Sequence, residues 1–171
     1  MLGLNENKKT KLICELFCGS GTITLPLLNK PYQIHAFELD KESLKSLDFA
    51  ARKESFGNKV KTKVRDLKNF PLTSDELSKY DAIIVDPPRS GAKLQFLNIA
   101  RSNVSIIVSI SCNVNTFVRD AKILIESNYE LKWVQPIDQF LFSAHVELVA
   151  IFQLKYKNVN KKIYNLSLIH I

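Results

Sequence analysis

Hydrophobic positions along this chain form short apolar runs that alternate with segments of helical spacing. Runs that predict strands lie at residues 11–17, 33–39, 59–64, 80–86, 104–110, 129–138 and 145–154. Segments with helical spacing or helix-capping signals lie at residues 23–29, 40–57, 93–101 and 113–127. Because strands and helices alternate, the pattern predicts an α/β fold with a doubly wound, mostly parallel sheet. It contains no internal repeat and no linker, so we expect one domain.

Cys112 lies at the junction between a β-branched run and a predicted helix start. The run ends at Ser111, and Asn113 or Asn115 can cap the helix that follows. In an open α/β sheet, ligands bind beyond the carboxyl ends of the strands. A helix N-terminus also favours a thiolate over a thiol. Position alone fits a reactive cysteine and a small buried hydrophobe equally well.

Composition narrows the class of protein. The 171 residues are 46% hydrophobic and 24% charged, which is typical of a soluble globular domain with a core of its own. No apolar run is long enough to span a membrane, and the first residues do not form a signal peptide. Three cysteines without paired spacing indicate a reducing compartment, which we expect to be the cytoplasm. Cys14 and Cys18 alone cannot complete a tetrahedral site, so we predict no metal.

The chain is basic, with a net charge of +7 and lysines clustered near residues 8–11, 59–63 and 155–162. A basic surface suits a polyanion such as RNA. A coding bias towards lysine and asparagine would give the same excess. The charge therefore permits an RNA partner without identifying one.

A glycine turn after the first strand predicts a ligand-binding loop. Glu15 is followed by Gly19 and Gly21, and glycines there let the backbone approach a ligand closely. A dinucleotide site would need a third glycine three residues after Gly21, where this chain has Thr24. The turn therefore favours a nucleoside that has no phosphate chain.

Carboxylates at successive strand ends complete the predicted cofactor site. Glu38 ends the second strand, 19 residues after Gly19, where a carboxylate can hold both hydroxyls of a ribose. Asp66 ends the third strand and could meet an adenine. With Asp86 after the fourth strand, the set indicates S-adenosylmethionine. The alternative is an α/β domain whose strand-end carboxylates only cap helices.

The loop after the fourth strand, Asp86-Pro-Pro-Arg-Ser-Gly, bears on the reaction. Its two prolines stiffen the loop and project neighbouring groups into the crevice. Enzymes that methylate nitrogen usually have an aromatic residue after the prolines, and this chain has Arg89, which argues against amine methylation. The second cysteine that cytosine-C5 RNA methyltransferases carry in this loop is also missing.

Four motifs, in the same order, resemble those of the RNA uracil-5-methyltransferase family. They are Glu15-Leu-Phe-Cys-Gly-Ser-Gly-Thr, Asp86-Pro-Pro-Arg-Ser-Gly-Ala, Ser111-Cys-Asn-Val-Asn-Thr-Phe-Val-Arg-Asp and His145-Val-Glu. They cover most of residues 11–154. The resemblance implies a Rossmann-like class I S-adenosylmethionine-dependent methyltransferase fold and the formation of 5-methyluridine in RNA.

The resemblance also implies roles for individual residues. Cys112 would be the nucleophile and Glu147 the general base, with His145 either orienting Glu147 or simply packing. Asp86 and Arg89 would lie near the target base. The cofactor site would be lined by Phe17, Thr22, Glu38, Asp66 and Asp86, in addition to Gly19 and Gly21 of the turn.

The chemistry of uracil methylation explains why such residues are needed. A thiolate that adds to C6 makes an enolate, and C5 then becomes nucleophilic enough to take a methyl group. A base must next remove the C5 proton before the thiolate can leave. The enolate oxygen needs hydrogen-bond donors, either Arg89 or backbone amides after Cys112. A paired uridine must flip out of its stack to reach the site.

Departures from the family pattern limit what we expect. Glu15 and Val114 stand where the family usually has aspartate and proline. An amino-terminal RNA-binding barrel, a middle domain and a glutamine-bearing strand have no counterpart here, and neither have the amino-terminal cysteines that bind an iron–sulfur cluster in some members. We therefore expect residues 1–157 to be the catalytic domain alone, followed by a non-native or disordered tail at 158–171.

The substrate is the least determined prediction. Residues 118–120 and 139–147 are more similar to members that act on ribosomal RNA than to those that act on tRNA. Methylation of tRNA uridine or of another base position is the first alternative. A catalytically silent fragment that binds cofactor or RNA is the second.

Overall fold

The chain forms a single seven-stranded sheet with helices on both faces, as a computed structural model of residues 10–138 and 146–155 describes it. The strands are β1 (Lys11–Leu16), β2 (Tyr32–Glu38), β3 (Val60–Val64), β4 (Ala82–Val85), β5 (Ile106–Ser111), β6 (Tyr129–Ile137) and β7 (Glu147–Leu154). The helices are α1 (Thr24–Leu27), α2 (Lys41–Lys53), α3 (Ser74–Leu77), α4 (Lys93–Arg101) and α5 (Val114–Glu126). Among these described helices, none has the length and apolar character needed to cross a membrane.

The order of strands across the sheet is β3-β2-β1-β4-β5-β7-β6. Strands β1 to β5 are parallel, while β7 runs antiparallel to β5 and β6 runs antiparallel to β7. The predicted doubly wound, mostly parallel sheet is therefore confirmed. The order reverses between β1 and β4, which is where such sheets open a crevice at the carboxyl ends of their strands.

Local sequence signals account for most helix boundaries. Asp40 caps α2 by accepting hydrogen bonds from the backbone N–H groups of Glu42 and Ser43, at 3.4 and 2.9 Å. Helix α4 has the predicted bounds. The pattern missed α3, although Thr73 and Glu76 form a capping box at its start. The helix predicted at residues 23–29 is a single turn in the structure.

Two hydrophobic clusters hold the layers together, one on each face of the sheet. The cluster beneath α3, α4 and α5 includes Phe96, Leu124 and Phe152, all at most 1% exposed. The cluster beneath α1 and α2 includes Ile34 and Leu47, both fully buried. Burying one such side chain contributes roughly 1.5–3 kcal/mol, so the sheet is a rigid platform for the residues at its edge.

Candidate active site

A cleft of about 430 Å³ opens at the carboxyl edge of the parallel strands, beside the point where the strand order reverses. It contains both predicted catalytic residues and several of the predicted ligand-binding positions. Its lining residues are Glu15, Phe17, Cys18, Gly19, Thr22, Ile23, Asp86, Ile110, Cys112, Ile137, Glu147 and Val149. The cleft thus joins the glycine turn, the proline loop and the cysteine at one place.

The antiparallel pairing of β5 with β7 brings Cys112 and Glu147 together. At the end of this ladder, Ser111 pairs with Leu148. Cys112 follows the first of these residues and Glu147 precedes the second, so they are next in register across the two strands. Side chains alternate between the faces of a strand. The preceding pair on the same face, Ile110 and Val149, accordingly lines the cleft as well.

The start of α5 fixes the backbone around Cys112. Asn113 caps the helix by accepting from the N–H groups of Asn115 and Thr116, at 3.0 and 3.3 Å. Of the two caps that the sequence allowed, the structure uses Asn113. The Ser111 hydroxyl donates to the Asn113 carbonyl oxygen at 3.1 Å, which tightens the turn through Cys112. The cysteine therefore follows a buried strand and precedes a capped helix.

The three cysteines differ in exposure. Cys14 is fully buried and Cys18 is 6% exposed, whereas Cys112 is half-buried and lines the cleft. Burial raises the pKa of the Cys18 thiol to about 12 and that of Cys14 well above its ordinary value. Since a thiolate is the reactive form, Cys14 and Cys18 are held as inert thiols. Cys18 also borders the cleft but is nearly buried, so Cys112 is the more accessible of the two cysteines to a ligand there.

Asp86 and Glu147 are two acids in the same small space. Burial raises the pKa of Asp86 to about 6, with the negative charge of Glu147 as a second cause. A nearby negative charge disfavours the ionised form of a buried carboxyl such as that of Asp86. A cationic group in the cleft would relieve this repulsion, so the electrostatics favour a positively charged ligand.

Glu15 is a third acid in the cleft, buried at the base of the glycine turn. Its side chain is 1% exposed, and its Oε2 accepts from the Thr24 hydroxyl at 2.5 Å. Its Oε1 has no hydrogen-bond partner among the described residues. Burial raises the pKa of Glu15 to about 7 against the lowering effect of the Thr24 hydrogen bond. A buried acceptor without a partner is costly, which suggests that a ligand donor completes it.

The two glycines of the turn have different surroundings. A Cβ on Gly19 would meet nothing within 4 Å, so the space above this residue is open to a ligand. A Cβ on Gly21 would collide with the Leu47 side chain of α2. Gly21 therefore has a packing reason to be glycine, whereas Gly19 borders the cleft.

Four predicted site residues do not line the cleft: Gly21, Glu38, Asp66 and Arg89. Glu38 lies against it, because its Oε2 accepts from the Gly19 N–H at 3.1 Å. Asp66 accepts from Lys68 and Asn69 of its own loop. Arg89 is exposed. The remaining candidate, His145, lies outside the described residues.

A second cavity, of about 280 Å³, adjoins the Asp66 loop. Phe17 lines it together with Leu67, Asn69 and Pro88. Phe17 also lines the main cleft, so this residue borders both cavities. The ends of β1, β3 and β4 thus border two ligand-sized cavities that share Phe17 as a lining residue.

Helix α5 holds the proline loop in place. The Thr116 hydroxyl donates to the Arg89 carbonyl oxygen at 3.2 Å, and Arg119 Nη2 donates to the Ser90 carbonyl oxygen at 3.1 Å. Asp120, which is 2% exposed, accepts from the Ala92 N–H at 3.0 Å and from Arg119 Nε at 2.8 Å. We call Thr116, Arg119 and Asp120 the α5 clasp. It connects the loop that carries Asp86 to the helix that follows Cys112.

Several cleft residues had not been predicted from the sequence: Cys18, Ile23, Ile110, Ile137 and Val149. Three of them follow from alternation along β5, β6 and β7, since each shares a face with a catalytic candidate or its pair. That signal depends on knowing which strands pair. Cys18 and Ile23 had no signal beyond their proximity to the glycines.

Known proteins are similar to this chain over most of its length. A family model described as tRNA (Uracil-5-)-methyltransferase matches residues 2–155. An uncharacterized RNA methyltransferase of Agrobacterium fabrum is 48% identical over 145 residues, which cover 85% of this chain and 35% of that protein. One of Caulobacter vibrioides is 36% identical over 151 residues, covering 88% of this chain and 36% of that protein. The chain spans about a third of the length of these relatives.

Solved structures share the fold. A Pyrococcus abyssi tRNA (uracil-54, C5)-methyltransferase in complex with S-adenosyl-L-homocysteine matches with a TM-score of 0.72 and 25% identity, over 85% of this chain and 34% of that one. The magnesium protoporphyrin IX methyltransferase of Synechocystis, with bound SAM, matches with a TM-score of 0.67 and 14% identity, over 87% and 72%. The predicted Rossmann-like class I methyltransferase fold is confirmed. The fold alone does not select a substrate.

Proposed function

The chain belongs to the tRNA (uracil-5-)-methyltransferase family, and from that premise we propose that it methylates uridine in RNA at C5, with S-adenosylmethionine as the cofactor. The observation that carries the proposal is the pairing of half-exposed Cys112 with Glu147 across β5 and β7 in one cleft. Residues 1–157 would form the catalytic domain.

The residues present fit this cofactor. S-adenosylmethionine supplies an electrophilic methyl group when bound. Asp86 and the unpartnered Oε1 of Glu15 would hold its cationic end, since both acids border the cleft. The open space above Gly19 admits the ligand close to the backbone. Glu38 would hold the ribose, because a carboxylate offers about four acceptor sites and its backbone contacts leave capacity.

The rest of the predicted cofactor set lies along the same route. Phe17 and Thr22 border the cleft, and Asp66 lies beside the second cavity that Phe17 also lines. Phe17 would separate the methyl-bearing end from the adenine end. Gly21 would contribute through its packing on Leu47, which sets the shape of the turn.

Cys112 would act as the nucleophile. Its thiolate forms a bond to C6 of uracil, and the electron pair of the C5–C6 double bond moves onto the C4 carbonyl oxygen as an enolate. Backbone N–H groups at the start of α5 are partly taken up by the Asn113 cap. Arg89, on the loop held by the α5 clasp, would donate hydrogen bonds to the enolate oxygen, as the family resemblance implies.

Glu147 would act as the general base. After the methyl group has been added, C5 carries both that group and a proton. Glu147 takes the proton, the electron pair restores the C5–C6 double bond, and the thiolate of Cys112 leaves. The antiparallel entry of β7 suits this role, because it puts a carboxylate next in register to the nucleophile.

Ribosomal RNA is the substrate that we propose first. The support is the similarity of residues 118–120 and 139–147 to members of that kind, and residues 139–145 lie outside the described residues. tRNA is the second candidate, because the Pyrococcus abyssi structure is that of a tRNA methyltransferase. Nucleoside analysis of unmodified ribosomal and transfer transcripts after incubation would separate them, since 5-methyluridine would accumulate in one.

Covalent trapping tests the reaction. The protein is mixed with S-adenosylmethionine and RNA that contains 5-fluorouridine, whose C5 fluorine cannot leave as a proton does. A protein–RNA adduct that survives denaturation and maps to Cys112 is expected. Cys112→Ala should abolish the adduct, while Cys14→Ala, which removes a core thiol away from the cleft, should retain it. Absence of adduct despite cofactor and RNA binding would contradict the uracil-C5 mechanism.

A second experiment isolates the base. Glu147→Gln keeps the size of the side chain but cannot accept the C5 proton. With ordinary uridine RNA and cofactor, this variant should accumulate a covalent complex that the unsubstituted protein releases. Equal and complete turnover by both proteins would assign the base to another group.

A further inference from the structure

A third cavity, of about 260 Å³, lies at the edge of the sheet formed by β3, opposite the edge formed by β6. It has an aromatic and aliphatic wall and a basic rim. Its lining residues are His35, Phe37, Lys61, Thr62, Lys63, Leu72, Glu76, Lys79 and Tyr80. Across β2 and β3, His35 pairs with Lys61 and Phe37 pairs with Lys63. Because alternate residues of a strand share a face, these four side chains lie on the same face of the sheet. We call this space the β3 cavity.

Three lysines give the β3 cavity an excess of positive charge. Lys61, Lys63 and Lys79 form no ion pair within the described part of the chain. The acid that lines the cavity, Glu76, is engaged by Arg65 at 3.5 Å and by the Thr73 N–H at 2.9 Å. The Thr73 N–H hydrogen bond, and more weakly the charges of Arg65 and Lys63, lower the pKa of Glu76. One acid thus faces three lysines, and the cavity keeps an excess of positive charge for an anion.

His35 adds a ring nitrogen that can bind a ligand. Its Nδ1 lies 3.0 Å from the Tyr80 hydroxyl, and its Nε2 has no partner among the described residues. Burial lowers the pKa of His35, and the charges of Lys61 and Lys79 lower it further. An anion bound between these groups would offset the two lysine charges and raise this pKa again.

Lysines on an edge strand have another explanation, because they prevent sheets from pairing edge to edge. That explanation covers Lys61 and Lys63, which lie on the edge strand β3. It does not account for Lys79, which lies after α3 with its Nζ 5.2 Å from the centre of the Tyr80 ring. It also leaves the cavity itself and the half-buried His35 unexplained.

We propose that the β3 cavity binds a backbone phosphate of the RNA strand whose uridine occupies the cleft. This inference rests on the proposed function and adds a second point of contact to it. Strand β3 lies four places from β5 in the sheet, which is about 19 Å at the usual strand spacing. The cavity would therefore hold a nucleotide that flanks the target, and it would set the register of the strand rather than take part in the chemistry.

The test compares two triple variants with the same change in net charge. One carries Lys61→Ala, Lys63→Ala and Lys79→Ala, and the control carries Lys30→Ala, Lys41→Ala and Lys53→Ala at exposed positions outside the cavities. RNA affinity is measured over a range of salt concentrations. The cavity variant should bind RNA more weakly than the control, and its log–log salt slope should be shallower by about 0.7 for each phosphate that the lysines no longer neutralise. Equal affinities and slopes for the two variants would overturn the proposal, as would an absence of RNA binding by the unsubstituted chain.

A second arm identifies the ligand. The imidazole of His35 is titrated by NMR in the presence of inorganic phosphate or of a short oligoribonucleotide. A higher pKa with the oligoribonucleotide, absent in the cavity variant, supports the proposal. A rise with inorganic phosphate and none with RNA would overturn it, because the cavity would then take a small phosphorylated ligand.

Adduct formation on the same samples separates this inference from the proposed function. If Cys112 forms the 5-fluorouridine adduct and the two triple variants bind RNA equally, the β3 cavity assignment alone fails. If the cavity variant binds RNA more weakly but no protein forms the adduct, the proposed reaction fails and the phosphate site stands.

Discussion

Glu15 and Asp86 are acids whose surroundings move their titration towards neutral pH. The cause is mainly burial in both cases. For each residue, the folded state holds the proton more tightly than the unfolded chain does. Each residue therefore gives a pH dependence that can be measured.

Glu15→Gln should change how stability depends on pH. The pKa of Glu15 rises from 4.5 to about 7 on folding, so its favourable contribution is present below pH 4.5 and is lost as the pH rises through 7. Because a shift of one unit is worth about 1.4 kcal/mol, the difference in unfolding free energy between variant and unsubstituted protein should change by on the order of 3 kcal/mol. Urea denaturation from pH 4.5 to 8 measures this. Parallel stability curves would show that Glu15 does not titrate in this range.

Asp86→Asn should change the pH profile of adduct formation at Cys112. The pKa of Asp86 is raised to about 6, so its acceptor form is populated above that pH. In the unsubstituted protein, the rate of adduct formation should increase as the pH rises through 6, and in the variant this increase should be absent. The plateau of the variant should be about ten- to a hundredfold lower, the equivalent of one charged hydrogen bond. A variant that retains the increase would assign it to another group.

For individual residues, the sequence indicated which side chains are candidates for catalysis, but it did not indicate how deeply each one is buried. The position of Cys112 between a predicted strand and a predicted helix was enough to make it a candidate for a reactive residue. Glu147 needed the family pattern, because an acid at a strand start is ordinarily a surface residue. The burial of Glu15 could not be read from the chain, since it depends on how α1 and the glycine turn close over β1.

Helix α5 and the proline loop act as one unit through the α5 clasp. Asp120→Ala would leave Arg119 and the Ala92 N–H without their partner, so the free energy of unfolding should fall by about 2 kcal/mol. Hydrogen exchange at the Ala92 amide should become faster, and Asp120→Asn should restore part of the protection because its amide oxygen still accepts.

Glu126→Ala is the matched control on the same helix. Its exposed pair with Lys122, at 3.7 Å, should contribute at most about 0.5 kcal/mol. If Asp120→Ala is as mild as this control and leaves exchange at Ala92 unchanged, the clasp does not hold the loop.

The sequence predicted helices best where both hydrophobic periodicity and a capping residue marked them. Helix α4 and the Asp40 cap of α2 could be placed because periodicity and capping agreed. Helix α3 was missed because four residues are too few to show a helical period. Contacts such as those of Asp120 with Ala92 join residues far apart in sequence, and no local pattern encodes them.

Binding of the cofactor or its product should stabilise the folded domain, because a ligand that binds only the folded state shifts the folding equilibrium towards it. S-adenosyl-L-homocysteine at a hundred times its Kd should raise the free energy of unfolding by about 2.7 kcal/mol. For a chain of this length, that corresponds to roughly 5–10 °C in Tm. Thermal unfolding with the ligand, and with adenosine or homocysteine alone as controls, measures the effect. An unchanged Tm would count against the cleft as the cofactor site.

At the scale of the molecule, the alternation of strands and helices was sufficient to predict the fold class. It could not give the order of strands, because pairing partners are chosen by long-range packing. The position of β7 between β5 and β6 is the part that matters most for the site, and it was not predicted.

Because β7 pairs with β5, an insertion of one residue in β7 should affect the reaction more than it affects the stability of the fold. One inserted residue within β7 would move Glu147 by about 3.4 Å along the strand and turn it to the other face, while the remaining ladder could still form. An insertion between Ile137 and Glu147 lies outside both β6 and β7 and would leave the pairing intact. We therefore expect members of this family to differ in the length of that connection and to have the same length of β7.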